Sequence, residues 1–403
     1  MRVVTQQSPA LFDPFGYDVI GEKFFRFDIA YRIHCVLVIC KRLKTAGLPR
    51  EVRDKLFLMA VGFLEEVRSR PMSRAQLIQV NYAFALIDAA DGEHAEALRR
   101  LEWVLGAIQG AHHARSEVLR LSGEMRHRGG DLGGAADDYL QSFTTMQYLD
   151  HVLCAKTGQV NTYVNPEAEL DVVVRVCNIE LERADVDHLD QHLKVARRLF
   201  EYVLTDVSSY KTRLAWVEAQ RLRCRGEIDA ARQHALTVAH DMSATPNAAF
   251  GRALVMLMDI ILDQIDNQLL PDTRKRELLY ETSAYAMRAR HTFEDHPDAI
   301  GANLLEQTQC RADHLDRRMS GLPANLKTIE QTVEKAERLE DAAVIARAYT
   351  VLGAEQEMAG DLEHAKDSYQ FADHRLRSHG FLALSAWPRA AIARLAQTRT
   401  ISA

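Results

Sequence analysis

Proline and glycine are scarce in this chain, which has only 10 prolines and 20 glycines among 403 residues. It also lacks any sustained alternation of valine, isoleucine and threonine, whereas alanine, leucine, arginine and glutamate are plentiful. This composition argues against β-structure and predicts helices throughout. The length exceeds that of most single compact domains, so we expect either two domains or an extended repeat array.

The six cysteines form neither CxxC pairs nor a dense group, which argues against a zinc site or a disulfide scaffold. We expect buried thiols in a reducing cytosol. The N-terminal residues lack the apolar core of a secretory signal. The most apolar stretches, at 35–40 and 253–262, are much shorter than the roughly 20 residues that span a bilayer. The sequence therefore predicts a cytoplasmic protein without a membrane segment.

A strong charge of either sign is also missing. The formal net charge is −6 with a pI near 6.3, so nothing in the overall balance favours binding to nucleic acid or to an anionic membrane. Hydrophobic residues make up 47% and charged residues 26% of the chain, as in ordinary folded proteins. We expect most of the chain to be ordered.

The common catalytic motifs are absent: there is no GxxxxGK[ST], GxGxxG, GxSxG or HExxH. His188 and His192 lie four residues apart with Asp190 between them, but a zinc site needs at least a third ligand. Exposed helix residues are the preferred interpretation. His112 and His113 are interpreted as the polar start of a helix. We therefore expect no metal and no cofactor.

What the chain does have is a repeated spacing, clearest in "AGDLEHAKDSYQFA" at 359–372. Ala365, Tyr369 and Ala372 are four and three residues apart, so they share one face of a helix where a neighbouring helix can approach closely. Gly360 suits the end of the preceding helix and Asp361 the start of the next. The stretch predicts a helix, a tight turn and a second helix.

The same offsets occur in "LRLSGEMRHRGGDLGGAADDYLQS", 230 residues earlier. The six matching positions there are Gly123, Gly130, Asp131, Ala135, Tyr139 and Ser142. Weaker copies occur in "NYAFALIDAADGEHAEALRRLEWVL" and "AWVEAQRLRCRGEIDAARQHAL". Internal similarity of this kind is typical of stacked arrays whose units cannot bury their faces alone.

With this pattern the chain resembles tetratricopeptide repeat (TPR) proteins. The positions that match best are Tyr349, Leu352, Gly353, Ala365, Tyr369 and Ala372, followed by Leu119, Gly123, Ala135 and Tyr139. The resemblance implies an all-α fold in which paired antiparallel helices stack into a right-handed α-α superhelix. It covers directly about a third of the chain.

The prediction divides the chain into six segments. They are an irregular segment at 1–20, an N-terminal helical cap at 21–70, TPR-like repeats at 71–145, an interrupting loop or junction at 146–166, further repeats at 167–380, and a C-terminal capping helix and tail at 381–403. The interruption is inferred from Gly158, Asn161, Asn165 and Pro166.

In TPR proteins the first helices of the pairs line a concave groove that commonly holds a peptide. By spacing, the resemblance implies a groove lined by Arg120, Glu124, His127, Arg128, Arg175, Arg213, Trp216, Gln220 and Arg223. Arginine forks bind carboxylates in a bidentate manner, so an acidic peptide or partner segment is the expected ligand. The alternative is that these arginines pair with Glu117, Glu124, Glu182 or Glu218.

Three functions remain open. The leading hypothesis is an interaction scaffold or regulatory adaptor, since the length and the paired N-terminal helices are similar to those of bacterial cytosolic TPR regulators that bind a signalling peptide or a response regulator. A second is an enzyme on the same scaffold, a hydrolase or phosphatase using residues such as His127 or Glu124. A third is a structural subunit of a larger complex. The sequence does not give the partner or the oligomeric state.

Overall fold

The computed structural model describes residues 29–43, 50–110, 113–157, 166–204, 207–244, 246–339, 341–382 and 384–402. Within these ranges the chain forms 17 α-helices and no strand, which confirms the all-α repeat fold. Helices consecutive in sequence pack against each other as hairpins. The chain divides into two compact units, residues 1–163 and 164–403.

Unit 1 holds six of these helices. They are α1 Ile29–Leu43, α2 Arg50–Arg68, α3 Arg74–Asp91, α4 His94–Ala107, α5 His113–Arg128 and α6 Leu132–Thr157. Helices α1 and α2 pair and both pack on α3. One apolar core, which includes Leu64, Ala83, Leu101 and Leu121, joins α1 and α2 to the hairpin α3–α4 and to α5.

Unit 2 holds the remaining eleven described helices. They are α7 Pro166–Glu182, α8 Val186–Phe200, α9 Val207–Cys224, α10 Ile228–Met242, α11 Ala248–Asn267, α12 Asp272–Asp295, α13 Ala299–Ser320, α14 Leu326–Glu337, α15 Ala342–Met358, α16 Leu362–Ser378 and α17 Ala386–Ser402. The first ten form five hairpins. The last, α17, packs Ala391 and Leu395 on Ala365 and Tyr369 of α16.

The repeated spacing has a direct packing cause. A Cβ atom added to Gly353 would lie 2.8 Å from Cε1 of Tyr369, and one added to Gly123 would lie 3.0 Å from Cε1 of Tyr139. Both tyrosines are fully buried. In each hairpin the glycine of the first helix thus leaves the space that the tyrosine ring of the second helix fills.

The turns repeat as well. Gly130 and Gly360 adopt positive φ angles of 82° and 83°, and the following residues, Asp131 and Asp361, accept a bond from a backbone N–H of the next helix. The turn between α7 and α8 has the same form but places Ala184 at a φ of 58°. A non-glycine residue in this position explains why the sequence pattern is weak in that hairpin.

The predicted loop at 146–166 begins too early. Helix α6 continues to Thr157, because residues 146–157 contain neither glycine nor proline and keep a helical composition. Residues 158–165 lie outside the described residues, and the contact boundary between the two units falls among them. The irregular segment predicted at 1–20 also lies outside the described residues.

Candidate functional site

In unit 1 the predicted groove residues lie on α5, and two of its arginines pair within the same helix. The Arg120 side chain donates to Glu117 at 2.5 and 3.0 Å, and Arg128 donates to Glu124 at 2.8 Å. This is the alternative interpretation of these arginines, in which they neutralise neighbouring glutamates. His127 lies in the last turn of the same helix.

In unit 2 the predicted residues Arg175 and Arg213 come together on one carboxylate. Arg175 of α7 donates to Oδ2 of Asp171 at 3.0 Å, and Arg213 of α9 donates to Oδ1 at 2.9 Å. Burial raises the pKa of Asp171, but the charges of the two arginines outweigh it and hold the pKa below its usual range. Asp171, which joins the two candidate arginines, was not predicted from the sequence.

The other predicted residues of α9 behave differently from one another. Trp216 is half-buried and packs on the apolar core of unit 2, so much of its ring supports the fold. Gln220 is half-buried on the same face. Arg223 donates through Nε to Oδ2 of Asp263 at 2.6 Å. Asp171 and Asp263, which accept from Arg175, Arg213 and Arg223, were not among the partners that the sequence suggested.

Asp263 belongs to a larger set of charges that we call the α11 ion network. Its carboxylates are Asp259, Asp263 and Asp266, which share one face of α11 at a spacing of four and three residues. The arginines come from the first helices of three other hairpins. They are Arg223 of α9, Arg311 and Arg318 of α13, and Arg347 of α15.

Arg311 is the centre of this network. Its two amino groups donate to Oδ1 of Asp263 and to Oδ2 of Asp266, both at 2.9 Å. Its guanidinium carbon lies 4.9 Å from the ring centroid of Trp387, the second residue of α17, which provides a cation–π contact. The guanidinium is buried between two carboxylates and an indole.

A second part of the network joins α15 to α11, two first helices that are separated in the array by α13. The two amino groups of Arg347 of α15 donate to the two carboxylate oxygens of Asp259 of α11 at 2.6 and 2.7 Å. One of them also donates to the Thr308 hydroxyl at 2.6 Å. Thr308 in turn donates to Asp259 at 3.1 Å. Burial raises the pKa of Asp259, but Arg347 outweighs it, and the pKa lies below its usual range. The carboxylate is therefore ionised although it is almost fully buried.

Three of the four arginines of the network are more exposed than the carboxylates they bind, and Arg311, 10% exposed, is the exception. The Asp259 side chain is 5% exposed against 25% for Arg347, and Asp266 is 26% exposed against 55% for Arg318. Asp263 is likewise more buried than Arg223. A ligand that approaches the first helices of unit 2 therefore meets guanidinium groups before carboxylates.

Arg223 is the one residue of this network that the sequence put forward as a candidate. One signal was present: three aspartates at helical spacing interrupt "ALVMLMDIILDQIDN", an otherwise apolar stretch. Buried charges are rare unless they are paired, so such a stripe predicts basic partners on adjacent helices. Which arginines supply them depends on tertiary packing.

The structure adds little that favours other kinds of site. Among the described residues, no group of three His, Cys, Asp or Glu side chains is placed to hold a metal ion. His188 bonds to Asp185 at the start of α8 instead. In the same part of the chain, no helix is both long and apolar enough to cross a bilayer.

No family model matches the chain, and no curated protein matches it by sequence. Solved structures do. A Rap protein complexed with competence and sporulation factor is 10% identical, with 93% of this chain and 98% of that chain covered at a TM-score of 0.53. The likeness lies in the fold.

Two further structures are similar to the same degree. Aspartyl phosphate phosphatase F from Bacillus subtilis is 9% identical, with 89% of this chain and 95% of that chain covered at a TM-score of 0.56. The Rap conjugation gene regulator of plasmid pLS20, in complex with the Phr peptide, is 10% identical, with 87% and 98% covered at 0.53. The chain thus has the helical-repeat fold of Rap regulators along most of its length.

Proposed function

We propose that this protein is a regulatory adaptor that binds a peptide or a partner segment on the first helices of unit 2. The proposal rests on one observation: helices α7, α9, α11, α13 and α15 carry partly exposed arginines and aspartates in ion pairs. Gln220 of α9 is half-buried, and Trp387 lies beside Arg311. Such a face offers directed hydrogen bonds beside an aromatic surface, which suits peptide recognition. Two of the similar solved structures contain a bound factor or peptide, which supports the same conclusion.

The enzyme hypothesis has less support. Glu124, one of the two residues considered for acid–base work, is engaged in an ion pair with Arg128. The likeness to a phosphatase is one of fold at 9% identity. We therefore retain peptide binding as the function that the geometry supports best.

The test is a selection of phage-displayed random heptapeptides on the purified full-length protein. Selected peptides are then synthesised, and their footprint is mapped by hydrogen–deuterium exchange. We expect protection in α9, α11, α13 and α15, and weaker binding by Gln220→Ala on α9. Gln233→Ala, an exposed glutamine on the second helix of the same hairpin, is the matched control. Selection of no peptide, or protection confined to other helices, would contradict the proposal.

A further inference from the structure

The hydrogen-bonding capacity of the α11 ion network is unevenly used. Both carboxylate oxygens of Asp263 accept from arginines, Oδ1 from Arg311 and Oδ2 from Arg223. Both oxygens of Asp266 do the same, Oδ1 from Arg318 and Oδ2 from Arg311. The acceptors on this face of α11 are therefore already engaged with guanidinium groups of the protein itself.

The donors are not exhausted. A guanidinium has five N–H donors. Among the described residues, Arg223 donates only through Nε to Asp263, and Arg318 donates only through one amino group to Asp266. The remaining N–H groups of these two arginines need acceptors from outside the network.

The charge balance points the same way. Four arginines face three aspartates in the α11 ion network, and two arginines face Asp171 in the neighbouring cluster of α7 and α9. Apart from Arg311, the arginines are also the more exposed partners. In these two clusters arginines thus outnumber carboxylates, six to four, although the whole chain is acidic.

From this geometry we infer that the ligand of unit 2 is an acidic peptide whose carboxylates bind the outward N–H groups of Arg223 and Arg318. This inference rests on the proposed function and specifies its ligand class. A carboxylate supplies the acceptors that the network lacks and makes charge-assisted bonds with a guanidinium fork. Trp387, 36% exposed beside Arg311, offers an apolar surface to the residues between the acidic positions.

The probes are three fluorescein-labelled heptapeptide pools with identical randomised positions, in which two fixed positions are both Glu, both Gln or both Lys. Binding to the full-length protein is followed by fluorescence anisotropy. We expect the Glu pool to bind at least about tenfold more tightly than the Gln pool, since each charge-assisted bond contributes on that scale. Each pool is prepared with a free and an amidated C-terminus, which separates side-chain carboxylates from the terminal one.

Variants assign the preference to the arginines. Arg318→Gln removes a largely exposed side chain, so the protein should fold normally while its binding of the Glu pool weakens by about tenfold. Arg318→Lys keeps the charge but loses the fork, so we expect an intermediate loss. Arg338→Gln is the control, because Arg338 also pairs with a carboxylate, Glu334, on an exposed face of α14.

The outcomes separate the two proposals. Equal binding of the Glu and Gln pools, or tighter binding of the Lys pool, overturns the acidic ligand and leaves peptide binding intact. An unchanged Glu preference in Arg318→Gln and in Arg223→Lys overturns the assignment to these arginines. If no pool binds, the proposed function fails together with the inference.

Discussion

The hairpins α5–α6 and α15–α16 share their packing and differ in what their arginines do. Both have a glycine beneath a buried tyrosine, and both turn through a glycine followed by a capping aspartate. Yet Arg128 of α5 pairs with its own helix, whereas Arg347 of α15 reaches Asp259, 88 residues away. The repeat pattern specifies how a hairpin closes and leaves its outward face free to vary.

The two hairpins should differ most in the stability that is lost when one of their arginines is replaced. Arg347→Ala leaves Asp259 buried without its partner, so we expect a loss of about 3–5 kcal/mol of stability in unit 2. Arg128→Ala removes an exposed pair within one helix and should cost about 0.5 kcal/mol or less. Hydrogen–deuterium exchange of α11 and of α5, in the full-length protein, measures both losses.

The pH dependence checks the cause of the larger loss. The pKa of Asp259 is lowered in the folded protein, so its pairing stabilises the fold at neutral pH and this contribution disappears as the pH falls through that pKa. In Arg347→Ala the buried carboxylate can be protonated instead. The deficit relative to the wild type should therefore shrink below a pH of about 4. A deficit that does not change with pH would show that lost packing, not charge, is responsible.

The shared packing can be tested at both glycines. Gly353→Val and Gly123→Val each drive a side chain into a tyrosine ring, and we expect each to cost about 1–3 kcal/mol. Gly62→Val on α2 is the control, since a Cβ there meets no atom within 4 Å. Thermal unfolding followed by circular dichroism gives the ranking. Unequal losses at Gly353 and Gly123 would mean that the two hairpins are less alike than their contacts indicate.

A smaller effect than that of the glycine-to-valine substitutions is expected at the turn that lacks glycine. Ala184 has a φ of 58°, a conformation that glycine adopts without steric cost, so Ala184→Gly should stabilise the protein by about 0.5–1 kcal/mol. Gly360→Ala is the reverse substitution in an equivalent turn and should destabilise by a similar amount. The melting temperatures of both variants check this, and a lower value for Ala184→Gly would contradict it.

The sequence predicted what depends on neighbours along the chain. Gly353, Asp361 and Tyr369 act within one hairpin, so their spacing was enough to identify the repeat and its turn. The α11 ion network joins side chains of four first helices. Its three aspartates indicate from the sequence that basic partners must lie nearby, but they do not indicate which arginines these are. Helical spacing made Arg175 and Arg213 candidates, but their common partner Asp171 depends on how α7 and α9 pack.

The reach of Arg347 has a consequence for synthesis of the chain. Each hairpin can close as soon as its own two helices have been made, because its contacts are local. Asp259 is made long before Arg347, 88 residues earlier. Until α15 emerges from the ribosome, the nascent chain therefore holds Asp259 without the guanidinium that pairs with it in the final fold.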